Sequence, residues 1–205
     1  MKILNSLSFV ALFAGLLLIS GCVTENVDDP YGYNYTAEKK SNNNNGVYDE
    51  DKPPNSYVQA QVYNSADTLI VPNGTILKLA GITSPQLGEP YYEKSIEFTK
   101  YLVGLKFLRL VWVKGTKRAD KVWKVNVIVK HQDYVVSLNE QLVKNGYAKV
   151  TVAEPIQYET INLDNEEKLT TLSDEDNKKI YNRLKSLEKE AQKKKLNIWS
   201  GKYEK

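Results

Sequence analysis

The sequence predicts an α+β domain, a small β-barrel with accompanying helices, running from residue 57 to residue 205. Two observations predict it. Five short segments are rich in β-branched and apolar residues, and three others carry helical spacing or helix caps, with turn formers between them. A chain of 205 residues holds one large domain or two small ones, since domains run about 100–200 residues. Composition is globular, 41% hydrophobic and 26% charged with a net charge of +3. A single Cys (Cys22) and a single His (His131) exclude a disulfide framework and a Cys/His zinc site. They leave a Cys–His dyad only if the two meet.

The elements follow in chain order. Segments 57–63, 68–71 and 75–82 are strand-like, with Asn64-Ser65 and Pro72-Asn73-Gly74 as the turns that separate them. Residues 92–103 switch to helical spacing, with Ile96, Tyr101, Leu102 and Val103 available for a buried stripe and Phe98 less in phase. Segments 106–113 and 121–129 return to strand. Ser137-Leu138-Asn139-Glu140 is a capping box for a helix that ends at Gly146, a left-handed C-cap. Ser173-Asp174-Glu175-Asp176 caps a long helix to about Lys195, with Ile180, Leu184, Leu187 and Ala191 on one face.

Ahead of the domain, residues 3–24 carry no charge, and 7–19 are almost continuously apolar behind Lys2. Length alone allows a transmembrane helix, which needs about 20 apolar residues. A positive start, an apolar centre and small residues after it fit a secretory signal instead. No second run is long enough to cross a bilayer, so a multi-span membrane protein is excluded. Ile19-Ser20-Gly21-Cys22 resembles a bacterial lipobox, which implies a signal peptide at 1–21 and a lipidated Cys22 as the first mature residue. Each buried CH2 contributes about 0.8 kcal/mol, so two or three acyl chains anchor stably where one does not. The protein is then expected in the bacterial cell envelope, facing outside the cytoplasm. Residues 22–56 are rich in Asn, Asp, Tyr, Pro and Gly and are expected to form a disordered tether. Seven Asp/Glu against three Lys make the tether acidic, so it is not a polybasic membrane arm.

Several strings in the domain resemble the staphylococcal-nuclease (thermonuclease-like) family. They are Asp67-Thr68, Ile82-Thr83-Ser84-Pro85, 115–121, 139–150, Glu190-Ala191-Gln192 and 195–200, the last reading Lys-Leu-Asn-Ile-Trp-Ser. The resemblance spans about residues 57–200 and implies a five-stranded OB-type β-barrel with three helices. It also implies a phosphodiester hydrolysis site: a glutamate as general base, two arginines gripping phosphate, and calcium held by aspartates and a backbone carbonyl. Asp67 falls on the first metal-binding aspartate, although a strand-capping turn residue is the alternative for it. The second aspartate position is Thr83, and Ser84 supplies the carbonyl. The general-base position is Gln86, and the arginine positions are Lys78 and Lys124. The base-contacting tyrosines would fall on Val122, Val152 and Glu154.

Those replacements decide the expectation. Gln86 cannot accept a proton, and losing a general base costs about 10²–10⁴ in rate. Calcium prefers several anionic oxygens, which a threonine hydroxyl does not supply. Lysine keeps the charge of arginine but loses its bidentate fork. The chain is therefore expected to have lost catalysis and to serve as a binding or interaction module for nucleic acid or another polyanion. No cofactor is expected on that reading. The alternative is a weak or divergent calcium-dependent nuclease, with Glu89 as a displaced base. Lys121 and Trp123 are candidate nucleic-acid contacts, although Trp123 also fits as a packing residue. Residues 101–150 carry ten Lys/Arg against three Asp/Glu, and 177–205 carry the same. Such blocks suit phosphate contact or a solvated helix face. Residues 151–176 reverse the balance, eight acids and one Lys, as an acidic insertion whose role the sequence leaves open. The expected partners are the membrane, through Cys22, and nucleic acid; a monomer is expected.

Overall fold

The computed structural model describes residues 57–115, 122–131, 134–161 and 169–202. The signal peptide, Cys22, the tether, Lys121 and the middle of the acidic stretch lie outside the described residues.

The first half of the domain contains β1 (Tyr57–Val58), β2 (Gln61–Tyr63), β3 (Ser65–Ile70), β4 (Ile76–Leu79), β5 (Ile82–Thr83) and α1 (Tyr92–Val103). The second half contains β6 (Leu108–Val113), β7 (Val122–His131), β8 (Tyr134–Ser137), α2 (Leu138–Lys144), β9 (Lys149–Val150), β10 (Tyr158–Ile161), β11 (Leu169–Thr171) and α3 (Asp174–Lys193). A 3₁₀ turn follows at Asn197–Trp199. The class is mixed α+β, with three α-helices among the described residues and a mostly antiparallel sheet. The sheet runs β11-β10-β6-β7-β4-β3-β2, with β1 added to β6 and β8 to β7, and only β4–β7 is parallel. A separate ribbon pairs β5 with β9.

Two expectations change. The expected five strands are eleven among the described residues, and the hydrogen-bonded path is open rather than a closed ring. Segment 57–63 breaks at Gln59 and Ala60, so its first part bonds to β6 and its second to β3. Segment 75–82 breaks at Ala80-Gly81, where Gly81 has a positive φ of 76° and Ala80 donates to the Val125 carbonyl. The acidic stretch contributes β10 and β11, a ribbon laid on the edge of β6 through Tyr158 and Glu159.

Local caps hold as expected. Ser137 Oγ accepts the Glu140 amide at 3.2 Å, and Ser173 Oγ accepts the Asp176 amide at 3.1 Å. Gly146 takes the left-handed conformation after α2, φ 68°. The α3 stripe of Ile180, Leu184, Leu187 and Ala191 is buried, as its spacing predicts. Burying its three larger side chains contributes about 5–9 kcal/mol as an upper bound. The α1 stripe is different. Leu102 and Val103 are buried, but Ser95 and Thr99 share the face, while Tyr101 points outward. The two hydroxyls fit inside because each bonds backbone: Ser95 Oγ to the Tyr92 carbonyl, and Thr99 Oγ1 to the Ala66 carbonyl of β3.

Candidate functional site

The site is built where β3, β4 and the loop after β5 meet. Asp67 lies in β3 and is fully buried. Its Oδ1 accepts hydrogen bonds from Lys78 Nζ at 2.8 Å, Ser65 Oγ at 2.6 Å and Thr68 Oγ1 at 3.3 Å. Its Oδ2 accepts the Ser84 amide at 3.2 Å, and its own amide donates to Ser84 Oγ at 3.2 Å. A carboxylate without water needs such partners, because burial opposes its charge. Burial alone pushes the Asp67 carboxyl up; the hydrogen bonds from Lys78, Ser65 and Ser84 and the Lys78 charge outweigh it and hold the group below its usual value. The carboxylate is ionised and internally neutralised.

The parallel β4–β7 ladder puts Lys78 level with Lys124. Alternation turns both outward while Leu77, Leu79, Trp123 and Val125 face the core. Lys78 stays partly exposed, 37% of its side chain, so one ammonium touches both the buried acid and water. Trp123 packs edge-on against Trp112, with centroids 5.4 Å apart and planes at 74°, and is only 7% exposed. That packing covers the ring face a base would need. Lys121 and Cys22 lie outside the described residues.

Gln86 reaches back and donates from Nε2 to the Ser84 carbonyl at 2.8 Å. Its amide donates to Glu89 Oε2 at 2.7 Å, and the Glu89 amide returns a bond to the Gln86 carbonyl. Glu89 is thereby the clasp of a tight turn. These bonds test whether calcium fits. The Asp67 carboxylate faces an ammonium, the Ser84 carbonyl accepts from an amide, and Thr83 adds a neutral hydroxyl; the set does not fit a divalent ion. Among the described residues no three His, Cys, Asp or Glu side chains gather as a metal cage.

Beside this cluster are two adjoining hollows that share Tyr91 and Lys202. One, of about 370 Å³, is lined by Thr83, Ser84, Gln86, Glu89 and Lys149 among others. The second, of about 470 Å³, adds Lys94, Lys195 and Asn197. The walls thus carry four lysines against one glutamate. Lys149 Nζ stands 5.5 Å over the Trp199 ring and Lys94 Nζ 5.8 Å over the Tyr91 ring. Asp67, Lys78 and Lys124 do not line these hollows. The structure brings Thr83, Ser84 and Gln86 to the cavity wall and sets the two lysines of β4 and β7 on the sheet face.

Comparison with protein-family models and with curated proteins finds no match to this chain.

The sequence reading missed the groove lysines and the Ser65 and Thr68 partners of Asp67. Lys94, Lys149, Lys195 and Lys202 come from four separate places: α1, β9, the α3 exit and the C-terminal segment. No local spacing signals such a set. One clue was present in the Ser65-Ala66-Asp67-Thr68 run, whose hydroxyls flank the acid on both sides.

Proposed function

We propose that this chain is a lipid-anchored envelope protein whose staphylococcal-nuclease-like domain has lost hydrolysis and binds a polyanion, with nucleic acid the first class to test. The observation that carries the reading is the built-in cation: Lys78 Nζ, 2.8 Å from buried Asp67, fills the role for which the resemblance implies a divalent ion. Gln86 supports it, since an amide stands at the general-base position and caps the Ser84 carbonyl. The four-lysine groove next to that cluster supplies charge suited to phosphate oxygens.

The resemblance itself has two supports. Its two most specific strings pack on each other: Ile198 donates to the Gly146 carbonyl at 3.1 Å and Asn197 Nδ2 to the Asn145 carbonyl at 2.7 Å. The OB-type barrel belongs to the same proposal, because β1 and β2, two residues apart, bond to β6 and β3 and so span the β6-β7-β4-β3 path. Membrane attachment through Cys22 rests on the lipobox alone.

The test is cleavage. The full chain in detergent, given single-stranded DNA and calcium, is expected to leave the DNA intact and to bind no calcium by calorimetry. A chain carrying Gln86→Glu, Thr83→Asp, Lys78→Arg and Lys124→Arg serves as the comparison. Robust calcium-dependent cleavage by the natural sequence overturns the proposal. It would favour the divergent nuclease, which is motivated by Asp67, the surviving positive charges of Lys78 and Lys124, and Glu89 on the cavity wall as a displaced base. For the anchor, Cys22→Ser is expected to release the chain from membranes, and an unchanged membrane fraction counts against lipidation.

A further inference from the structure

Among the described residues most exposed large apolar side chains gather at and after the C-terminal end of α1, whereas Tyr91 of the lysine groove precedes its N-terminal end. Leu105 is 95% exposed, Tyr134 71%, Phe107 64% and Tyr101 63%. They come from the end of α1, the turn into β6 and the β7–β8 hairpin. The Tyr101 ring meets His131 edge-on at 4.9 Å. Lys106 Nζ lies 2.9 Å from His131 Nδ1 and donates to the Leu102 carbonyl, which fastens the turn to α1. His131 pairs with Tyr134 and Lys130 with Val135, while Phe107 precedes Leu108, the partner of Val129. The four side chains therefore form one corner.

Leaving four such groups in water forgoes the gain from burying them, and exposed clusters of this kind mark interaction surfaces. The charged residues around the corner identify the partner. Lys100, Lys106 and Lys130 flank it; Glu97 sits a turn further down α1, and Asp133 lies outside the described residues. Aromatic and aliphatic tips among lysines complement an anionic bilayer surface, where rings enter the interface and ammonium groups remain with the headgroups. Chain geometry agrees. Residues 23–56 can extend to about 110–120 Å, enough to hold the domain near a bilayer without orienting it.

We propose that the corner formed by Tyr101, Leu105, Phe107 and Tyr134 docks on an anionic lipid surface, orienting the domain with its lysine groove away from the bilayer. The inference goes beyond the binding reading and rests on the anchor only for the nearness of the membrane. A local contact of this kind suffices when attachment already holds its effective concentration high.

The experiment reads depth at two positions. Full chain bearing Phe107→Trp, or Leu87→Trp beyond the opposite end of α1, is reconstituted in vesicles of phosphatidylglycerol and phosphatidylcholine with brominated acyl chains. Emission of the added indole is taken as the difference from the parent chain. At 107 it is expected to shift to the blue and be quenched; at 87 it stays unquenched. Vesicles of phosphatidylcholine alone are expected to lose the quenching at 107 while the chain still sediments with them. Sedimentation without quenching at 107 overturns docking and leaves the anchor standing. A chain that does not sediment at all overturns both. A blue shift that grows with protein concentration and needs no vesicles overturns docking in favour of pairing between copies.

Discussion

Asp67 concentrates the energetics of the candidate site in one side chain. A buried carboxylate is tolerated because four donors surround it, one of them an ammonium and the only partner that carries charge. Lys78→Met removes that charge and leaves the acid with neutral donors. The expected cost is about 2–3 kcal/mol in urea unfolding, below the about 3–5 kcal/mol of a fully buried pair because Lys78 is partly in water. The pH dependence has a definite sign. The Asp67 carboxyl is held low in the folded chain, so its stabilisation is complete above the unfolded value of about 3.9 and disappears as pH falls through the folded value. Unfolding free energy measured from pH 6 to pH 2 is expected to fall in acid, and less steeply in Asp67→Asn. Equal acid slopes in the two chains would show that Asp67 is not the group responsible. The identity of Asp67 as a special residue was legible in the sequence. The resemblance names Lys78 and Ser84 beside it, but their bonds to it were not legible, because they form only through the β3–β4 pairing and the loop after β5.

At the scale of elements, legibility followed how local each signal was. Both serine caps, the α3 stripe and the Gly146 stop are determined within one or two turns of chain, and all three stand where the pattern put them. β8, β10 and β11 were not legible. Tyr-Glu-Thr-Ile and Leu-Thr-Thr lie in or beside a polar, acidic stretch and become strands only because β6 offers an unpaired edge. Tyr101 illustrates the reverse case, an apolar residue in phase with a helix face that the fold leaves outside. Gly146 offers the sharpest element-level test. A Cβ there would lie 2.5 Å from the Leu196 carbonyl oxygen, a backbone atom fixed by the 3₁₀ turn, on top of the strain of a positive φ. Gly146→Ala is expected to cost about 2–3 kcal/mol, whereas Gly74→Ala, equally left-handed but with open space around it, costs about 1 kcal/mol. Thermal unfolding of the two variants side by side checks the difference. Similar losses would mean that α2 and the 3₁₀ turn are not held by this contact.

Across the whole molecule, charge and apolar surface are sorted to different places. The sequence shows basic blocks at 101–150 and 177–205 separated by an acidic stretch, yet chain position says little about which lysines share a surface. Folding resolves the blocks. Lys106 and Lys130 frame the aromatic corner, Lys78 is paired within the sheet, and Lys149, Lys195 and Lys202 join Lys94 of α1 around the hollows by Tyr91. A polyanion bound at that groove must then obey an electrostatic rule. Each phosphate neutralised on a single strand changes the slope of log affinity against log salt by about 0.7. Lys149→Ala with Lys202→Ala removes two contacts, so the slope for oligothymidylate binding by the full chain is expected to become shallower by about 1.4, with affinity lost at every salt concentration. Lys106→Ala with Lys130→Ala, at the aromatic corner, removes the same net charge but none of the groove. If the groove binds the strand, only the first pair changes the slope by that amount. Equal changes from both pairs would mean that diffuse positive charge, and not a built groove, attracts the strand.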